Sequence, residues 1–391
     1  MKKNLLFVVD EREMGGVSIV LTDLIHFLNK DLFHIDILVL HNRGNMLDNL
    51  PEDVNMYFGT KYFDTIDYTI GEVIKMHSLV KLFRKARVVF DLKTGRVKKR
   101  IVKERKKIIQ KNYDVEIAFK DGYTAIFSAC ANTPKKIHYL HCDYATNNPN
   151  IKYAKLFQEI LAKFDYIIGV ATNVAKSFNE TYHLATKAQV IPIAMDTQRI
   201  LKLAQEEAIV PIKPNKLNII VVGRAHPVKG YERMIQVFDK LNNENLMEQV
   251  EVHVFGDGPL YTKMVELIHT KNLASKVIME GNVKNPYAEM KQYDFLLLPS
   301  YSEAFGTVIS EAHILKVPVL ATQTAASEMS IQNGYDGWIC ANSEEGLYNT
   351  LKKLITTSQE INNCKHNLKT FKYDNSKIIH EIERIFKNTN E

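Results

Sequence analysis

Short apolar runs, many of them β-branched, alternate along the chain with longer stretches of helical pattern. Such runs, bounded by polar turns and joined by segments long enough for crossover helices, predict parallel sheets and an α/β fold. In the first half the predicted strands are Asn4–Asp10, His34–Leu40, Val115–Phe119, Lys136–His141, Tyr166–Ala171 and Gln189–Ile193. In the second half they are Asn218–Gly223, Val250–Gly256, Lys276–Gly281, Phe295–Ser300, Pro318–Thr322 and Gly337–Cys340.

A polar, proline-containing stretch separates the two series of strands. Residues 205–215 read QEEAIVPIKPN and are predicted to be a linker. The prediction is therefore an N-terminal Rossmann-like domain at 1–204 and a C-terminal Rossmann-like domain at 216–374. Two doubly wound sheets predict a central cleft between them, with ligands at the carboxyl ends of the strands. The remaining segment, 375–391, contains a predicted helix with an apolar face made of Ile378, Ile379, Ile382, Ile385 and Phe386.

The composition is that of an ordinary globular protein. With 391 residues, 46% of them hydrophobic and 25% charged, the chain is not collagen-like, a disulfide mini-protein or mostly disordered. Four scattered cysteines without CxxC spacing favour reduced thiols in the cytosol. The first apolar run ends at Asp10, too early for a signal peptide, and no run reaches the ~18 residues of a membrane span. We therefore expect a cytoplasmic protein.

The positive charge is concentrated in one segment. Residues 81–111 contain fourteen Lys or Arg residues against Asp91 and Glu104, a net charge of +12 in a chain whose total is +6. Apolar positions within it, among them Val97, Ile101 and Ile108, fit one face of a helix. A basic, partly apolar helix can lie on an anionic membrane. The alternatives are a solvated helix that keeps the protein soluble and, less in keeping with the acidic remainder of the chain, a nucleic-acid surface.

Two cations flank a short turn after the first strand of the second half. The strand ends at Gly223, Arg224 follows it, and Lys229 and Gly230 precede the next helix. The guanidinium group offers a planar fork to phosphate oxygens, and the ammonium group offers a point charge on a flexible stem. This pair suits a diphosphate, whose charge grows when it leaves, although cations in such a turn are as often solvated.

A second cluster follows the strand that ends at Ser300. Glu303 is predicted to lie in the loop and Glu311 one turn into a helix that begins near Gly306 or Thr307. The start of a helix presents free N–H groups and a positive dipole end, which favour phosphate. A carboxylate such as Glu311 can accept hydrogen bonds from both ribose hydroxyls, and Glu303 can bind sugar hydroxyls. Two glutamates taken alone would indicate only surface residues.

A glycine pair, Gly15 and Gly16, follows the first strand and allows close approach of a ligand. With the two clusters above, it makes the chain similar to the retaining glycosyltransferases of family 4 (group 1), which have the GT-B fold. The family's Glu-x7-Glu signature matches Glu303 and Glu311. Its phosphate motif matches Gly223, Arg224, Lys229 and Gly230, and its Gly-Asp-Gly-Pro element begins at Gly256.

The resemblance implies a role for each matched residue. Arg224 and Lys229 should hold the nucleotide diphosphate, Glu311 the ribose, and Glu303 the donor sugar. The donor site should also include the glycine loop, Gly15 and Gly16, and the backbone of Phe305, Gly306 and Thr307. The segment Gly281, Asn282 and Val283 should pass the nucleotide base. The terminal helix should cross back onto the first domain.

The first half resembles bacterial enzymes that build capsular or other surface polysaccharides. The segments that carry this resemblance are 115–122 and 137–144. In those relatives the histidine at the position of His141 faces the reacting sugar, so His141 is expected to be functional. His138 and His141 point to opposite faces of a strand and make a poor metal pair. For His138 a core position is the preferred interpretation.

These expectations define a retaining transfer from a nucleotide-diphosphate sugar, with UDP as the expected nucleotide, to a saccharide acceptor, which we expect to be lipid-linked. A departing phosphate oxygen can take the acceptor proton, so the protein positions the substrates and stabilises charge. No Asp-x-Asp motif follows a strand, and neither a metal nor another cofactor is expected. The alternatives are a nucleotide-sugar epimerase of the same fold and a non-catalytic nucleotide-sugar-binding scaffold. A dinucleotide oxidoreductase would need a third glycine in the segment that begins at Gly256.

Overall fold

The computed structural model describes residues 2–11, 16–44, 50–145, 148 and 151–388. Its strands are β1 (Lys3–Val9), β2 (Phe33–Val39), β3 (Asn55–Phe58), β4 (Val115–Ala118), β5 (Lys135–Leu140), β6 (Tyr166–Gly169), β7 (Ala188–Val190), β8 (Leu217–Val222), β9 (Val250–Phe255), β10 (Val277–Gly281), β11 (Phe295–Leu298), β12 (Val319–Thr322) and β13 (Gly337–Cys340). Its helices are α1 (Gly16–Phe27), α2 (Ile70–Lys75), α3 (Leu79–Lys93), α4 (Val97–Ile108), α5 (Tyr123–Ala129), α6 (Ala154–Leu161), α7 (Thr172–Tyr182), α8 (Thr197–Leu203), α9 (Tyr231–Asn243), α10 (Tyr261–Thr270), α11 (Pro286–Met290), α12 (Thr307–Ile314), α13 (Ala325–Ser330), α14 (Glu344–Thr356), α15 (Gln359–Leu368) and α16 (Ser376–Lys387).

The strands form two sheets with the same winding. The first sheet has the order β3-β2-β1-β4-β5-β6-β7 and the second the order β10-β9-β8-β11-β12-β13. The strand pairs are parallel in both, for example Leu5 opposite Val115 and Phe295 opposite Ile219. In each sheet the strand order reverses beside the first strand, which is the Rossmann-type switch point where ligands bind. The predicted α/β fold with two Rossmann-like sheets is confirmed.

The twelve predicted strands are all present, with ends that differ by up to three residues. The central residues of the inner strands, such as Leu6 and Val8 of β1 or Ile219 and Ile220 of β8, are fully buried. Burial on both faces is what allows continuous apolar runs in a parallel sheet. Strand β3 was not predicted, because this edge strand has only four residues, NMYF, and none of them is fully buried.

The chain divides into two compact units at positions that differ from the expected ones. The first unit comprises Met1–Met195 and Asp374–Glu391, and the second comprises Asp196–Tyr373. Residues 205–215, expected to be a linker, belong to the second unit. The buried carboxylate of Glu289 accepts hydrogen bonds from the backbone N–H groups of Ile209 (2.7 Å) and Val210 (3.3 Å). Polar and proline-rich composition therefore indicated an irregular segment correctly, but not one that lies free between the units.

The C-terminal helix α16 packs in the first unit. Ile382, Ile385 and Phe386 are buried, and the ring of Phe386 meets the rings of Phe7 and Phe33 edge-on at 6.0 Å. The end of α16 is held as well, because the ammonium group of Lys135 donates to the backbone carbonyls of Ile385 and Asn388. Cations at a helix C-terminus satisfy its free carbonyl groups and its dipole.

No helix among residues 2–11, 16–44, 50–145 and 151–388 is both long and apolar enough to cross a lipid bilayer.

Truncation of the Phe386 ring tests the packing of α16. We expect Phe386→Ala to lower the free energy of unfolding by ~3–5 kcal/mol, because a buried aromatic side chain is replaced by a cavity. Urea denaturation followed by circular dichroism measures the change. The matched control is Phe90→Ala on α3, where the ring is 49% exposed and the expected change is within ~0.5 kcal/mol. Equal effects of the two substitutions would contradict the packing described here.

Candidate active site

In the second unit, the residues singled out from the sequence follow four neighbouring strands. β10, β9, β8 and β11 lie side by side and end at Gly281, Phe255, Val222 and Leu298. Because the strands are parallel, their carboxyl ends share one edge of the sheet. The loops that contain Arg224, Asp257, Asn282 and Glu303 therefore start from the same edge.

Two glycines let these loops pack against one another. A Cβ atom on Gly256 would lie 2.0 Å from the carbonyl oxygen of Gly223, and one on Gly230 would lie 2.1 Å from that of Pro299. Gly230 also has a left-handed φ of 67°, which glycine adopts without strain. The loops after β8, β9 and β11 thus approach at distances that no other residue type permits at these positions.

Lys229 and Glu303 form an ion pair between the loops that follow β8 and β11. The distance from Lys229 Nζ to Glu303 Oε1 is 2.5 Å, and both side chains are largely buried. Ser300, which is fully buried, donates its hydroxyl to the same Glu303 oxygen at 2.7 Å. The two residues expected to bind the diphosphate and the donor sugar are therefore brought into direct contact, while Arg224, five residues before Lys229, is exposed.

Helix α12 begins beside this pair. Gly306 has a φ of 65°, and the helix starts at Thr307 without a side-chain cap. Phe305 is buried, whereas Gly306 and Thr307 are partly exposed. A helix start that no side chain caps keeps backbone N–H groups available for an anion.

Glu311 lies in the second turn of α12 and is held by a tyrosine. Tyr287, which is buried on α11, donates its hydroxyl to Glu311 Oε1 at 3.2 Å. Burial and the neighbouring carboxylate raise the pKa of Tyr287 above its ordinary value, so the hydroxyl remains a donor. The guanidinium group of Arg199, on α8, lies 6.0 Å from the centre of the tyrosine ring. Tyr287 therefore fixes the carboxylate that we expected to meet the ribose.

The segment expected to pass the base is tied to the glycine loop after β9. The side-chain oxygen of Asn282 accepts a hydrogen bond from the backbone N–H of Asp257 at 3.1 Å. Gly256 in turn donates its N–H to the carbonyl oxygen of Gly281 at 2.7 Å. Val283 follows and is partly exposed. Asn282 thus joins two loops, in addition to any contact with a ligand.

His141 lies in the first unit, directly after β5. Its ring packs against those of Phe119 (5.1 Å between centroids) and Tyr139 (6.2 Å), and its Nε2 atom is buried without a hydrogen-bond partner. Burial lowers the pKa of His141 to about 4. The imidazole is therefore neutral at physiological pH and can exchange a hydrogen bond with a ligand, but it does not carry a positive charge.

His138 belongs to a buried network. Its Nε2 lies 3.1 Å from Asp121 Oδ1, which also accepts a hydrogen bond from the hydroxyl of Tyr144, and its Nδ1 lies 3.3 Å from the carbonyl oxygen of Ala118. Every described contact of the His138 ring is thus with the protein interior, the environment that we preferred for it. Of the glycine pair, Gly16 opens α1 with free space at its Cβ position, and Gly15 lies outside the described residues.

Among the described residues, one group of side chains could hold a metal ion: Glu11, His41 and Asp67, whose ligand atoms lie within 4.8 Å of one another. His41 Nδ1 is 2.9 Å from Asp67 Oδ2, and Lys120 and Arg43 approach Glu11 to 3.9 Å. Two neighbouring cations disfavour a further positive ion. The expectation of catalysis without a metal stays a prediction.

The residues that orient the expected ligand-binding side chains were not predicted from the sequence. Ser300 and Tyr287 contact Glu303 and Glu311, and Tyr231 donates its hydroxyl to the carbonyl oxygen of Gly223 at 2.8 Å. In the first unit, Lys120 and Asp10 pair at 2.5 Å after β4 and β1. The available signal was position, since Ser300 and Asp10 directly follow buried strands. Nothing local marked Tyr287.

Comparison with solved structures identifies the class of fold. The chain superposes on the Anabaena Alr3699/HepE protein, solved in complex with UDP-glucose, with a TM-score of 0.71 at 16% identity, over 98% of each chain. It also superposes on a mutant of Staphylococcus aureus TarM, solved in a complex that contains UDP, with a TM-score of 0.71 at 14% identity. The chain has the GT-B fold of two Rossmann-like domains.

Sequence comparison identifies the family that part of the chain resembles. Residues 204–371 match the family model of glycosyl transferases group 1. Over 95% of its length the chain is 22% identical to 92% of the Escherichia coli UDP-Gal:alpha-D-GlcNAc-diphosphoundecaprenol alpha-1,3-galactosyltransferase. It is 26% identical to the uncharacterized glycosyltransferase MJ1059 of Methanocaldococcus jannaschii over 47% of that protein, and it spans less than half of several other curated relatives. The resemblance to group 1 glycosyltransferases is confirmed by the match to the family model, which covers residues 204–371.

Titration of His141 tests its environment. We expect its NMR signal, assigned with His141→Asn, to show a midpoint at about pH 4 rather than near the ordinary value of ~6.5. Because the folded pKa lies below the unfolded one, the stability that this group contributes is complete above pH ~6.5 and is lost as the pH falls towards the folded value. A midpoint between pH ~6 and ~7 would show that the ring is solvated.

Proposed function

We propose that the chain is a retaining glycosyltransferase that moves a sugar from a UDP-sugar to a saccharide acceptor in bacterial surface polysaccharide biosynthesis. The observation that carries this proposal is the Lys229–Glu303 ion pair beside the uncapped start of α12, with Arg224 five residues before Lys229 in the same loop. Cations and a helix start at the carboxyl edge of a Rossmann-like sheet suit a diphosphate. The family match over residues 204–371 supports the same conclusion.

In this proposal Arg224 and Lys229 bind the diphosphate of the donor. As the bond to the sugar breaks, negative charge develops on the departing phosphate oxygen, and the two cations stabilise it. Glu303 binds hydroxyls of the donor sugar and is oriented by Ser300, whose hydroxyl lies 2.7 Å away. Glu311, oriented by Tyr287, accepts hydrogen bonds from the ribose. The family resemblance supports each of these roles.

The acceptor is proposed to bind the first unit, with His141 as a neutral hydrogen-bonding group for the reacting sugar. In a retaining transfer the acceptor hydroxyl approaches the face from which the diphosphate leaves, and a phosphate oxygen takes its proton. The neutral imidazole positions the sugar through hydrogen bonds without adding a positive charge. The E. coli relative acts, by its name, on a diphosphoundecaprenol-linked sugar, which supports a lipid-linked acceptor. Contact with an anionic membrane through residues 81–111, on the cytoplasmic side, is part of this proposal.

Loss of either cation should abolish most of the transfer. We expect Lys229→Ala and Arg224→Ala to lower kcat about a hundredfold or more, since one charge-directed donor is worth ~2.7–4 kcal/mol in the barrier. The assay follows sugar transfer from UDP-sugars to a diphosphoundecaprenol-linked saccharide, with NMR of the product to establish retention. UDP, GDP and ADP are compared by thermal shift, where a ligand at ~100 times its Kd stabilises the fold by ~2.7 kcal/mol.

The control for these variants is Lys369→Ala, an exposed lysine of the second unit that forms no described ion pair. Wild-type kinetics in Lys229→Ala or Arg224→Ala, with unchanged melting temperature, would contradict the assignment. Conversion of the UDP-sugar in the absence of acceptor would indicate an epimerase, and binding without turnover would indicate a scaffold.

Activity should not depend on a divalent metal. Because two side-chain cations and the start of α12 supply the positive charge, we expect transfer to persist in EDTA at a rate within about twofold of the untreated rate. The same assay with and without added Mg²⁺ and Mn²⁺ measures this. Complete loss of activity in EDTA, restored by a metal, would overturn the metal-free mechanism.

A further inference from the structure

Helix α3 presents apolar residues outwards and buries charged ones. Leu79, Phe83 and Phe90 are 84%, 68% and 49% exposed, whereas Lys85 and Asp91 are buried. At 100° per residue the three exposed apolar side chains fall within a sector of about 40°, so they form one stripe. This is the reverse of the usual orientation of a surface helix, whose apolar stripe faces the core.

The two charged groups on the inward face of α3 have oppositely polarised neighbours in the protein, which gives the orientation a structural basis. Lys85 donates to the backbone carbonyls of Thr65 (3.0 Å) and Ile66 (3.3 Å), and the guanidinium group of Arg100 lies 3.5 Å from Asp91. Rotating the helix to bury Phe83 would leave these polar groups without their partners, which is costly in a protein interior.

The apolar surface extends beyond α3. Ile70 and Ile74, one turn apart on α2, are 52% and 57% exposed, and Val80 at the start of α3 is also exposed. Single exposed apolar residues are ordinary, but a contiguous group of them marks an interaction site. We call Ile70, Ile74, Leu79, Val80, Phe83 and Phe90 the outer apolar face.

Helix α4 contributes cations instead of apolar area, contrary to the pattern read from the sequence. Val97 and Ile101, which fit one face of the predicted basic helix, are buried in the first unit and so cannot meet a membrane. Eight of the fourteen cations of residues 81–111 make no ion pair with a carboxylate in the part of the chain that the structure describes: the buried Lys85, which bonds to backbone carbonyls, and seven others. The seven others are Lys81, Arg87, Lys93, Arg96, Lys99, Lys103 and Lys106.

Four of these cations line a groove together with two residues of the outer apolar face, Phe83 and Phe90. The groove between α3 and α4 has a volume of about 870 Å³ and is lined by Phe83, Phe90, Arg87, Arg96, Lys99 and Lys103, among others. The guanidinium group of Arg96 lies over the ring of Phe90, 5.4 Å from its centre. Positive charge and exposed aromatic rings thus occur side by side.

We propose that the outer apolar face inserts into a bilayer whose anionic headgroups bind the unpaired cations of the α3–α4 groove. Apolar side chains bordered by cations are the pattern of helices that lie in the interface of anionic membranes. The proposal places α3, rather than α4, in the membrane. That the surface serves to reach a lipid-linked acceptor rests on the proposed function; the binding of lipid itself does not.

Charge favours this occupant over the others. A second copy of the chain would bring two sets of unpaired cations together, with repulsion between them. A nucleic acid would pair with the cations and could stack on Phe83 and Phe90. Proteins bind single-stranded nucleic acids with positive charge and aromatic rings, however, so the aliphatic residues Ile70, Ile74, Leu79 and Val80 would stay exposed to water. A membrane with anionic lipid satisfies both the cations and the aliphatic side chains.

The test is flotation of the full chain with two kinds of vesicle, phosphatidylcholine alone and phosphatidylcholine mixed with phosphatidylglycerol. We expect binding to the mixed vesicles that is at least tenfold tighter and that weakens with salt. Phe83→Ser with Phe90→Ser should weaken this binding at least tenfold. Arg87→Gln, Lys99→Gln and Lys103→Gln, all in the groove lining, should together abolish the preference for anionic vesicles.

Each variant has a matched control with the same chemistry elsewhere. Ile209→Ser and Tyr335→Ser replace exposed apolar residues of the second unit, and Lys187→Gln, Lys369→Gln and Lys372→Gln remove three exposed lysines. Both controls should bind mixed vesicles as the unaltered chain does. Because all substituted positions are exposed, melting temperatures should stay within a few degrees, which separates lost binding from lost folding.

Three outcomes would overturn the inference: no preference for anionic vesicles, vesicle binding that survives the two phenylalanine substitutions, or a dimer in sedimentation that those substitutions dissociate. UDP binding measured on the same samples separates this inference from the proposed function. Vesicle binding without UDP binding would refute the glycosyltransferase proposal and leave the membrane surface standing. UDP-dependent transfer to a water-soluble acceptor without vesicle binding would do the reverse.

Discussion

The contact between Lys229 and Glu303 depends on a single feature of the fold, the reversal of strand order in the second sheet. β8 and β11 are neighbours there, although more than seventy residues separate them in the chain. Their carboxyl ends therefore deliver a cation and a carboxylate to one point, 2.5 Å apart. At that distance each charge stabilises the other and limits its motion, so both side chains are oriented before any ligand arrives. In the proposed function, an incoming diphosphate would compete with Glu303 for Lys229, which would couple binding of the anion to release of the glutamate for a sugar hydroxyl.

Close packing of backbone makes this arrangement possible. Gly256 and Gly230 allow the loops after β9 and β8 to touch neighbouring carbonyl groups at distances that a Cβ atom would prevent. The same contacts fix the positions of Arg224 and Lys229 relative to the start of α12. Glycine in this site therefore has a structural function that precedes any contact with a ligand, and it explains the glycine at the end of the phosphate motif, Gly230.

How much of this was predictable differs between the sheets and the site. Parallel strands buried on both faces are apolar throughout, so a strand such as β1 can be recognised from its apolar run, residues 5–9, alone. Edge strand β3 carries no such signal. Polar composition marked 205–215 as irregular, but its attachment to Glu289 depends on a residue some eighty positions away. Lys229, Glu303 and Glu311 were singled out because they are charged and lie in segments that follow predicted strands. Their partners Ser300 and Tyr287 were missed, because a hydrogen bond between distant residues leaves no periodicity in the sequence.

The α3–α4 region shows where pattern reasoning fails for a physical reason. Periodicity identifies an apolar stripe but does not say whether the stripe faces the core or something outside the chain. On α4 the stripe of Val97 and Ile101 faces inwards, and on α3 the stripe of Leu79, Phe83 and Phe90 faces outwards. What decides between them is the opposite face of each helix. On α3 that face carries Lys85 and Asp91, and both find partners in the interior. The buried polar contacts, rather than the apolar residues, therefore determine which side of α3 is left for a partner.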